Sequence, residues 1–531
     1  MASDLDYPPQ QVESAITDRL VEVAKDWSLA HGLCVRPPPT VIPAQAHPGN
    51  ILATPVPVTL FPSPFPESCF KQGLAVQRAY NELYASISQD EEFLTEMVKQ
   101  IGNSDDFIQK LWDVHLRVKA EGYVQSISLG LFRSDYMVHQ GSAASSPGIK
   151  QVEFNTIASS FGGLSSQTTA LHKFLNKQEY GYLGRSSTSS SLNLPENTCT
   201  RGLAAGIREA FKVYGPSKSS NAIPKCVIFL TQGGERNIFD QRHLEYELQA
   251  QASDDRMPIF RLPFSEIGDR TSLTEGDKRV LQYRPPHRES DTYEVAVVYM
   301  RSGYGPDDYS GDSAWNDRYQ IERSAAIKCP SVLTQIAGTK KVQQVLATPA
   351  SADSEPPTLH RFLKPDAASN TKAVADIERT FTNIYPMDTS AAGQVARKIA
   401  LDPQQCQSYV LKPQREGGGN NIYRSTIPEH LKKIPEKNWD AYILMEIITP
   451  PPVYNMILRN GKLEKGNVIC ELGVYGTCIW DQNKATAGGA NAILWNESEG
   501  YLLRTKGDKS EEGGVAAGFG CMDSCALVKD I

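Results

Sequence analysis

The sequence predicts an α/β fold that contains a compact parallel-sheet lobe. Three observations predict it. Between Cys226 and Met300, short apolar strands alternate with helical stretches. Ahead of that segment, apolar residues recur at helical spacing in several long runs. Behind it, strand-like runs alternate with glycine-rich loops, the densest being Tyr409 to Tyr423, YVLKPQREGGGNNIY.

A length of 531 residues is room for roughly two to four domains. With 40% hydrophobic and 22% charged residues, the composition is that of a globular chain and not of a disordered one. A net charge of -7 and a pI near 5.8 argue against nucleic-acid and anionic-membrane partners. The first residues, MASDLDYPPQQ, have no basic stretch followed by an apolar one, and no arginine, so no targeting signal is expected. No apolar run approaches the roughly 18 residues that span a bilayer. The ten cysteines are scattered without CxxC spacing, which points to reduced, buried thiols in a cytosolic protein.

In chain order, Val12 to His31 places Val12, Ile16, Leu20, Val23 and Trp27 on one helical face, and Gly32 stops it. Val35 to Pro66 is proline-rich and reads as extended. Helices are expected over Leu74 to Ser88, Glu91 to Ile101 and Asp106 to Glu121, with His115 a structural histidine. Val124 to Phe132 is a strand that delivers Arg133 at its end. An arginine fork suits a carboxylate, although taken alone the residue is more simply read as half of a surface ion pair. Lys150 to Ser166 (KQVEFNTIASSFGGLSS) is a strand with Glu153 and Asn155 on one face, opening into a polar Ser-Gly loop. Two oxygen-bearing side chains two residues apart can ligate magnesium, or simply form a wet strand face. Tyr180 to Pro195 is a serine-rich loop, and Arg201 to Tyr214 a helix.

The βαβ segment follows: strand Cys226 to Leu230, helix Asn237 to Gln251, strand Ile259 to Leu262, strand Val295 to Met300. Ligands favour the carboxyl ends of such strands, here Gln232 to Asn237 and Arg301 to Tyr304. Gly338-Thr339 starts a helix with Lys340 in its first turn. The helix dipole disfavours a lysine there, which hints that Lys340 faces an anion rather than serving the helix. Thr348 to Thr358 reads as a loop, and Ala373 to Tyr385 and Ala391 to Leu401 as helices. Tyr409 to Leu411 is a strand broken by Lys412-Pro413. Gly417, Gly418 and Gly419 let the backbone approach a ligand closely, beside Lys412 for a phosphate and Glu416 for its magnesium. A tight hairpin with solvated charges would use the same residues. Tyr442 to Ile448 and Val468 to Thr477 are apolar strands carrying Glu446 and Glu471. LLRTK (Leu502 to Lys506) precedes a small-residue stretch, GGVAAGFG, suited to a lid.

These pieces share one logic of phosphoryl transfer by positioning and electrostatics, with no nucleophile triad visible. LGLFRSDYM, VEFNTIASSFGGL, ERNIFDQR, AGTKKVQQ, LKPQREGGGNN, YILME, CELGVYG and LLRTK with GGVAAG also occur in this order in eukaryotic glutathione synthetases. The chain resembles that ATP-grasp family over nearly its whole length. The resemblance implies an ATP-grasp fold, with residues 1–222 and 339–531 forming its body and 223–338 an inserted substrate-binding lobe. A glycine-rich loop (about 415–423) and an alanine/glycine-rich lid (about 512–520) would cover the site. It further implies a cytoplasmic, homodimeric ligase that joins γ-glutamylcysteine to glycine with ATP and Mg2+.

Carried onto matching positions, Glu153, Asn155 and Glu416 would hold magnesium. ATP would meet Glu153, Lys340, Lys412, Glu416, Gly417 to Asn421, Tyr423, Met445, Glu446, Ile447, Ile448, Glu471, Lys506 and Glu512, with Asn420 inside the loop. The dipeptide would meet Arg133, Ile157, Ala158, Ser159, Ser160, Glu235, Arg236, Asn237, Gln241, Arg301, Ser302, Gly303, Tyr304, Arg504, Val515 and Ala516. Arg504, Lys412 and Gly418 would be catalytic. Departures are Ala158 where some relatives carry serine, Ile447 where some carry lysine, Glu512 where some carry aspartate, and a poor match over Asp481 to Tyr501. A ligase that accepts β-alanine or another amine, and a nucleotide-binding scaffold without catalysis, remain open at this level.

Overall fold

The computed structural model describes residues 7–46, 49, 51–102, 104–140, 147–180, 192–219, 223–251, 257–348, 358–363, 368–484, 492–511, 513–515 and 518–529. Its largest element is a seven-stranded sheet in the order 453–459, 58–59, 521–523, 493–507, 462–481, 127–139, 148–155. The long strand Lys462–Asp481 lies inside it, antiparallel to Ile493–Gly507 on one side and to Ile127–His139 on the other. Its side chains divide with period two, as a pleated strand requires. Leu472, Val474, Cys478 and Trp480 enter one core, and Tyr475 and Ile479 the other. Both faces are therefore covered, which is why the run from Val468 reads as almost continuously apolar.

The first core is closed by helix Glu67–Gln89. It buries Phe70, Gly73, Gln77, Tyr80, Tyr84 and Ile87, one stripe at helical spacing. Tyr84 stacks on Phe154 at 3.8 Å, with 8° between the rings. Gly476 is small because the helix comes close: a Cβ there would lie 2.2 Å from Asn81 Oδ1. On the opposite face helix Cys199–Val213 does the same, with Gly206 against Thr477. Removing one large side chain from such a core costs about 2–5 kcal/mol.

The βαβ segment forms a six-stranded sheet. Strands Lys225–Thr231, Ile259–Pro263, Tyr293–Met300 and Ile327–Cys329 are mutually parallel. Leu281–Tyr283 and Thr271–Leu273 add to it antiparallel, so the expected parallel sheet is mixed. A four-stranded antiparallel sheet, in the order 384–386, 442–446, 409–413, 422–423, carries the glycine hairpin.

Other expectations are corrected. Arg133 sits in the middle of Ile127–His139 and not at a strand end, because its charge is answered inside the sheet (below). Lys412-Pro413 does not break the strand Tyr409–Pro413: both residues pair with the neighbouring strand, and proline falls at the last position, where a missing N–H costs least. Gly162-Gly163 opens helix Gly162–Gln178 instead of continuing a loop. Asp240 stabilises that helix start by accepting from the N–H groups of Phe161, Gly163 and Leu164 at 2.8, 2.8 and 3.2 Å. The helix expected to reach Tyr385 ends at Thr380, and Ile384–Pro386 is an edge strand. Residues 181–191 of the serine-rich loop, residues 349–357 of the loop after the Lys340 helix, Glu512 and Ala516 lie outside the described residues.

Candidate active site

A cavity of about 790 Å³ opens where the three sheets meet. The seven-stranded sheet supplies Arg133, Glu153, Asn155, Glu471 and Arg504, and the hairpin sheet supplies Lys412, Glu416 and Met445. Strand ends of the six-stranded sheet bring Gln232, Glu235, Arg301 and Tyr304.

Lys340 is the electrostatic hub. Its Nζ lies 3.1 Å from Glu153 Oε2 and 3.1 Å from Glu416 Oε1, so one ammonium bridges a strand and the glycine loop. Burial alone would pull its pKa down, but the two carboxylates outweigh burial and hold it above its ordinary value. Burial raises Glu153, yet Lys340, Lys412, Arg504 and Arg133 together drive its carboxyl well below the usual range. Glu416 is pushed up, by burial first and then by Glu153, against the pull of Lys340. Lys412 donates to Val152 O at 3.0 Å and is shifted downward by burial. The lysine at the helix start does face anions, as its awkward position with respect to the dipole suggested.

The arginines share a buried acid. Asp135 Oδ1 accepts from Arg133 Nε at 2.6 Å. Its Oδ2 accepts from Arg133 Nη2, Arg504 Nη2 and Asn155 Nδ2 at 2.9, 3.0 and 3.1 Å. Arg504 Nη2 also donates to Glu471. Asn155 Nδ2 reaches Arg133 O at 3.2 Å as well, so its nitrogen is committed and its carbonyl oxygen is the atom left to offer a ligand. Glu471, expected beside a nucleotide, is thus the ion-pair partner of Arg504 and still lines the cavity.

Loops form the second wall. Ala158 and Phe161 adopt left-handed φ values of 50° and 74°, bracketing Ser159-Ser160. Such backbone costs about 1–2 kcal/mol per residue and persists where the surroundings hold it. Here Ser160 O accepts from Arg133 Nη1 at 3.0 Å and Tyr475 OH at 2.5 Å, and Ser160 Oγ accepts from Arg301 Nη2 at 2.6 Å. Asp308 fixes the 301–304 loop, accepting from Gly303 N at 2.8 Å and Tyr304 N at 3.2 Å. A third, apolar wall comes from Met137, Val152, Val410, Met445, Ile448 and Ile469. Two covering segments touch: Arg424 Nε, just past the hairpin, donates to Glu511 Oε1 at 2.9 Å, and Lys506 Nζ donates to Glu511 O.

Most of the expected site residues converge on this cavity, including Ile157, Ala158, Ser160, Arg236, Asn237, Asn421, Tyr423, Glu446, Ile447 and Val515. Others do not reach its wall. Gln241 is buried behind Glu235, donating to its Oε2 at 2.6 Å. Ser159 donates to Leu131 O, and Ser302 to Asp308. Gly303 is buried against Met300, Phe264 and Tyr309, and Gly419 and Asn420 are exposed at the loop tip. Lys340 acts from behind through its two carboxylates. Sequence reasoning placed Gln232 at a strand end and Met445 and Ile448 beside the nucleotide, and it missed Asp135, Arg424 and the rest of the apolar wall, Met137, Val152, Val410 and Ile469. Val152 and Val410 lie in strands already singled out for their neighbours, which was the signal available for them.

Comparison with known proteins identifies the family. Residues 14–527 match the family model described as eukaryotic glutathione synthase, ATP binding domain. The chain is 39% identical to the glutathione synthetase large chain of Schizosaccharomyces pombe, over 98% of this chain and 99% of that protein. It is 38% identical to glutathione synthetase of Homo sapiens, over 96% of each. Among solved structures, a glutathione synthetase-like effector from Globodera pallida in apoform superposes with a TM-score of 0.70 at 22% identity, covering 98% of this chain and 99% of that one. With a mixed α/β architecture, a buried lysine bridging two carboxylates and a full-length family match, the chain belongs to the eukaryotic glutathione synthases and is an ATP-dependent ligase of ATP-grasp fold.

Proposed function

We propose that this chain joins γ-L-glutamyl-L-cysteine to glycine, converting ATP to ADP and phosphate through an acyl phosphate. The observation that carries the reading is the Glu153–Lys340–Glu416 bridge, whose two carboxylates line the same cavity as Arg133 and Arg504, the arginines joined by Asp135. Phosphate-type and carboxylate-type recognition thus face one space.

In the proposed reaction a carboxylate oxygen of the dipeptide attacks the γ-phosphorus and ADP leaves. The glycine nitrogen then attacks the acyl carbon, loses a proton and expels phosphate. Lys412 and Lys340 supply positive charge along the triphosphate, and the glycine loop with Tyr423 covers it. The apolar wall with Met445 to Ile448 flanks the base, and Lys506 and Glu512 would close the ATP side. Arg133, Ser160, Arg301 and Tyr304 hold the dipeptide, while Arg504 and Val515 engage substrate carboxylate and backbone.

Glu153, Asn155 and Glu416 would hold Mg2+. They form an oxygen-only set, and two close carboxylates with one raised pKa favour an added cation. Among the described residues no group of three or more His, Cys, Asp or Glu makes a self-sufficient metal cage, which suits an ion that arrives on phosphate oxygens. When bound, Mg2+ neutralises the triphosphate and the charge developing on it.

The same reading takes 223–338 as the dipeptide lobe, 1–222 with 339–531 as the nucleotide body, and the assembly as a homodimer. The ten free, buried cysteines support a reducing, cytoplasmic compartment, and no described helix is long and apolar enough to cross a membrane. ADP release with γ-glutamylcysteine and a panel of amines tests the reading. Turnover that depends on glycine is the expected result. Preference for β-alanine, or no turnover with any amine, overturns it.

A further inference from the structure

We propose that Asp135 is a positioning residue that sets Arg133 and Arg504 side by side to receive a dipeptide carboxylate, and that Gly473 is glycine to leave room for it. The proposal rests on the ligase reading above. Asp135 is wholly buried and contributes nothing to the cavity wall. Its carboxylate nevertheless collects donors from three strands of the seven-stranded sheet: Arg133 beside it, Asn155 on one neighbouring strand and Arg504 from further along.

Two guanidinium groups held together in a buried space repel each other, and a shared carboxylate offsets that repulsion. It also fixes direction. Arg133 spends Nε and Nη2 on Asp135 in a fork and Nη1 on Ser160 O, so its plane cannot rotate. Arg504 commits only Nη2 to Asp135 and Glu471, which orients the rest of its fork without consuming it. The Arg133 contact with Ser160 extends this frame to the loop held in left-handed backbone, so arginines and loop are set as one unit.

Gly473 supplies an independent observation. It lies directly across the strand pair from Asp135. A Cβ there would sit 2.8 Å from Arg133 Cδ and 2.9 Å from Asp135 Oδ1. Its φ is not in the left-handed region, so space and not backbone freedom calls for glycine. The clash would fall on the ion pair itself.

The test measures binding of γ-glutamylcysteine and, separately, of ATP by calorimetry, with KM for each in the ADP-release assay, for full-length wild type, Asp135→Asn and Gly473→Ala. In Asp135→Asn the dipeptide Kd and KM should rise at least about tenfold while ATP values move less than about twofold. Gly473→Ala, which leaves both ionised partners in place, should shift the dipeptide values in the same direction by less. If Asp135→Asn does not fold, Gly473→Ala decides. Unchanged dipeptide binding in a folded variant, or equal loss of both ligands, overturns the proposal. Wild-type protein that neither binds nor turns over the dipeptide overturns the ligase reading beneath it.

Discussion

One ammonium group, Lys340 Nζ, stands between Glu153 and Glu416, and the charge state of the cavity follows from it. Replacing Glu416 by Gln removes one of the two acids while keeping the shape. Turnover in the ADP-release assay should drop at least about 100-fold with the circular dichroism spectrum unchanged. Wild-type rates would mean that Glu416 binds no metal. A second titrating pair lies away from the cavity. His172 is buried, with Nδ1 2.7 Å from Ser524 Oγ and Nε2 2.8 Å from Thr59 O. Burial pulls its pKa down to about 4 from 6.5, against a lift from the Thr59 carbonyl. Burial pushes the neighbouring Asp523 up to about 6 from 3.8, against the hydroxyls of Ser63, Thr59 and Thr505. Between pH 6.5 and 4 the unfolded chain takes up a histidine proton that the folded one refuses, so acid destabilises through His172. Between pH 6 and 3.8 the folded carboxyl is protonated first, so acid stabilises through Asp523. Each slope is at most about 1.4 kcal/mol per pH unit, and they oppose. Asp523→Asn removes only the second. Its stability relative to wild type, from urea unfolding, should therefore fall as pH drops from 6 to 4. A difference independent of pH would show that Asp523 titrates normally.

At the scale of elements, the glycine loop works through conformation more than contact. Gly417, Gly418 and Gly419 have φ of 96°, 72° and 77°, three left-handed residues in a row. A side chain at Gly418 would meet nothing within 4 Å, so Gly418→Ala changes only the backbone preference, by about 1–2 kcal/mol. Its turnover should fall about tenfold as the covering conformation becomes rarer, with the melting temperature unaltered because the strands beneath are untouched. Steady-state kinetics beside a thermal scan checks this, and unchanged kinetics would reduce the loop to a connector. The segment 518–520 is held differently. Arg459 donates to the carbonyls of Gly518, Gly520 and Phe519 at 2.6, 3.0 and 3.2 Å, so the strand Val453–Arg459 anchors it.

At the scale of the whole molecule, the cavity takes walls from all three larger sheets, so a ligand filling it should tie them into one cooperative unit. ATP with Mg2+ at about 100 times its Kd should raise the unfolding free energy by about 2.7 kcal/mol, seen as a higher melting temperature. An unshifted transition would mean that the nucleotide binds elsewhere or not at all. The mutual covering of the sheets also explains what was legible in advance. Strands such as Tyr293–Met300 and helices such as Glu91–Ile101 announce themselves through local periodicity, which needs no knowledge of neighbours. Arg133 and Lys412 were misplaced at strand ends for the opposite reason: a charge looks like an edge until its buried partner is known.

The order of motifs along the chain by itself determined the family, the glycine hairpin and most of the residues that face the cavity, because close backbone approach and phosphate binding demand particular residue types at fixed local spacing. Only the tertiary structure decided that Lys340 bridges two acids, that Gln241 stands behind Glu235, and that Asp135 and Gly473 serve the arginines. The lysine bridge and the arginine cluster join segments far apart in the chain, and contact over that distance leaves no local pattern to read, while Gln241, only six residues from Glu235, is turned from the cavity by how its helix packs.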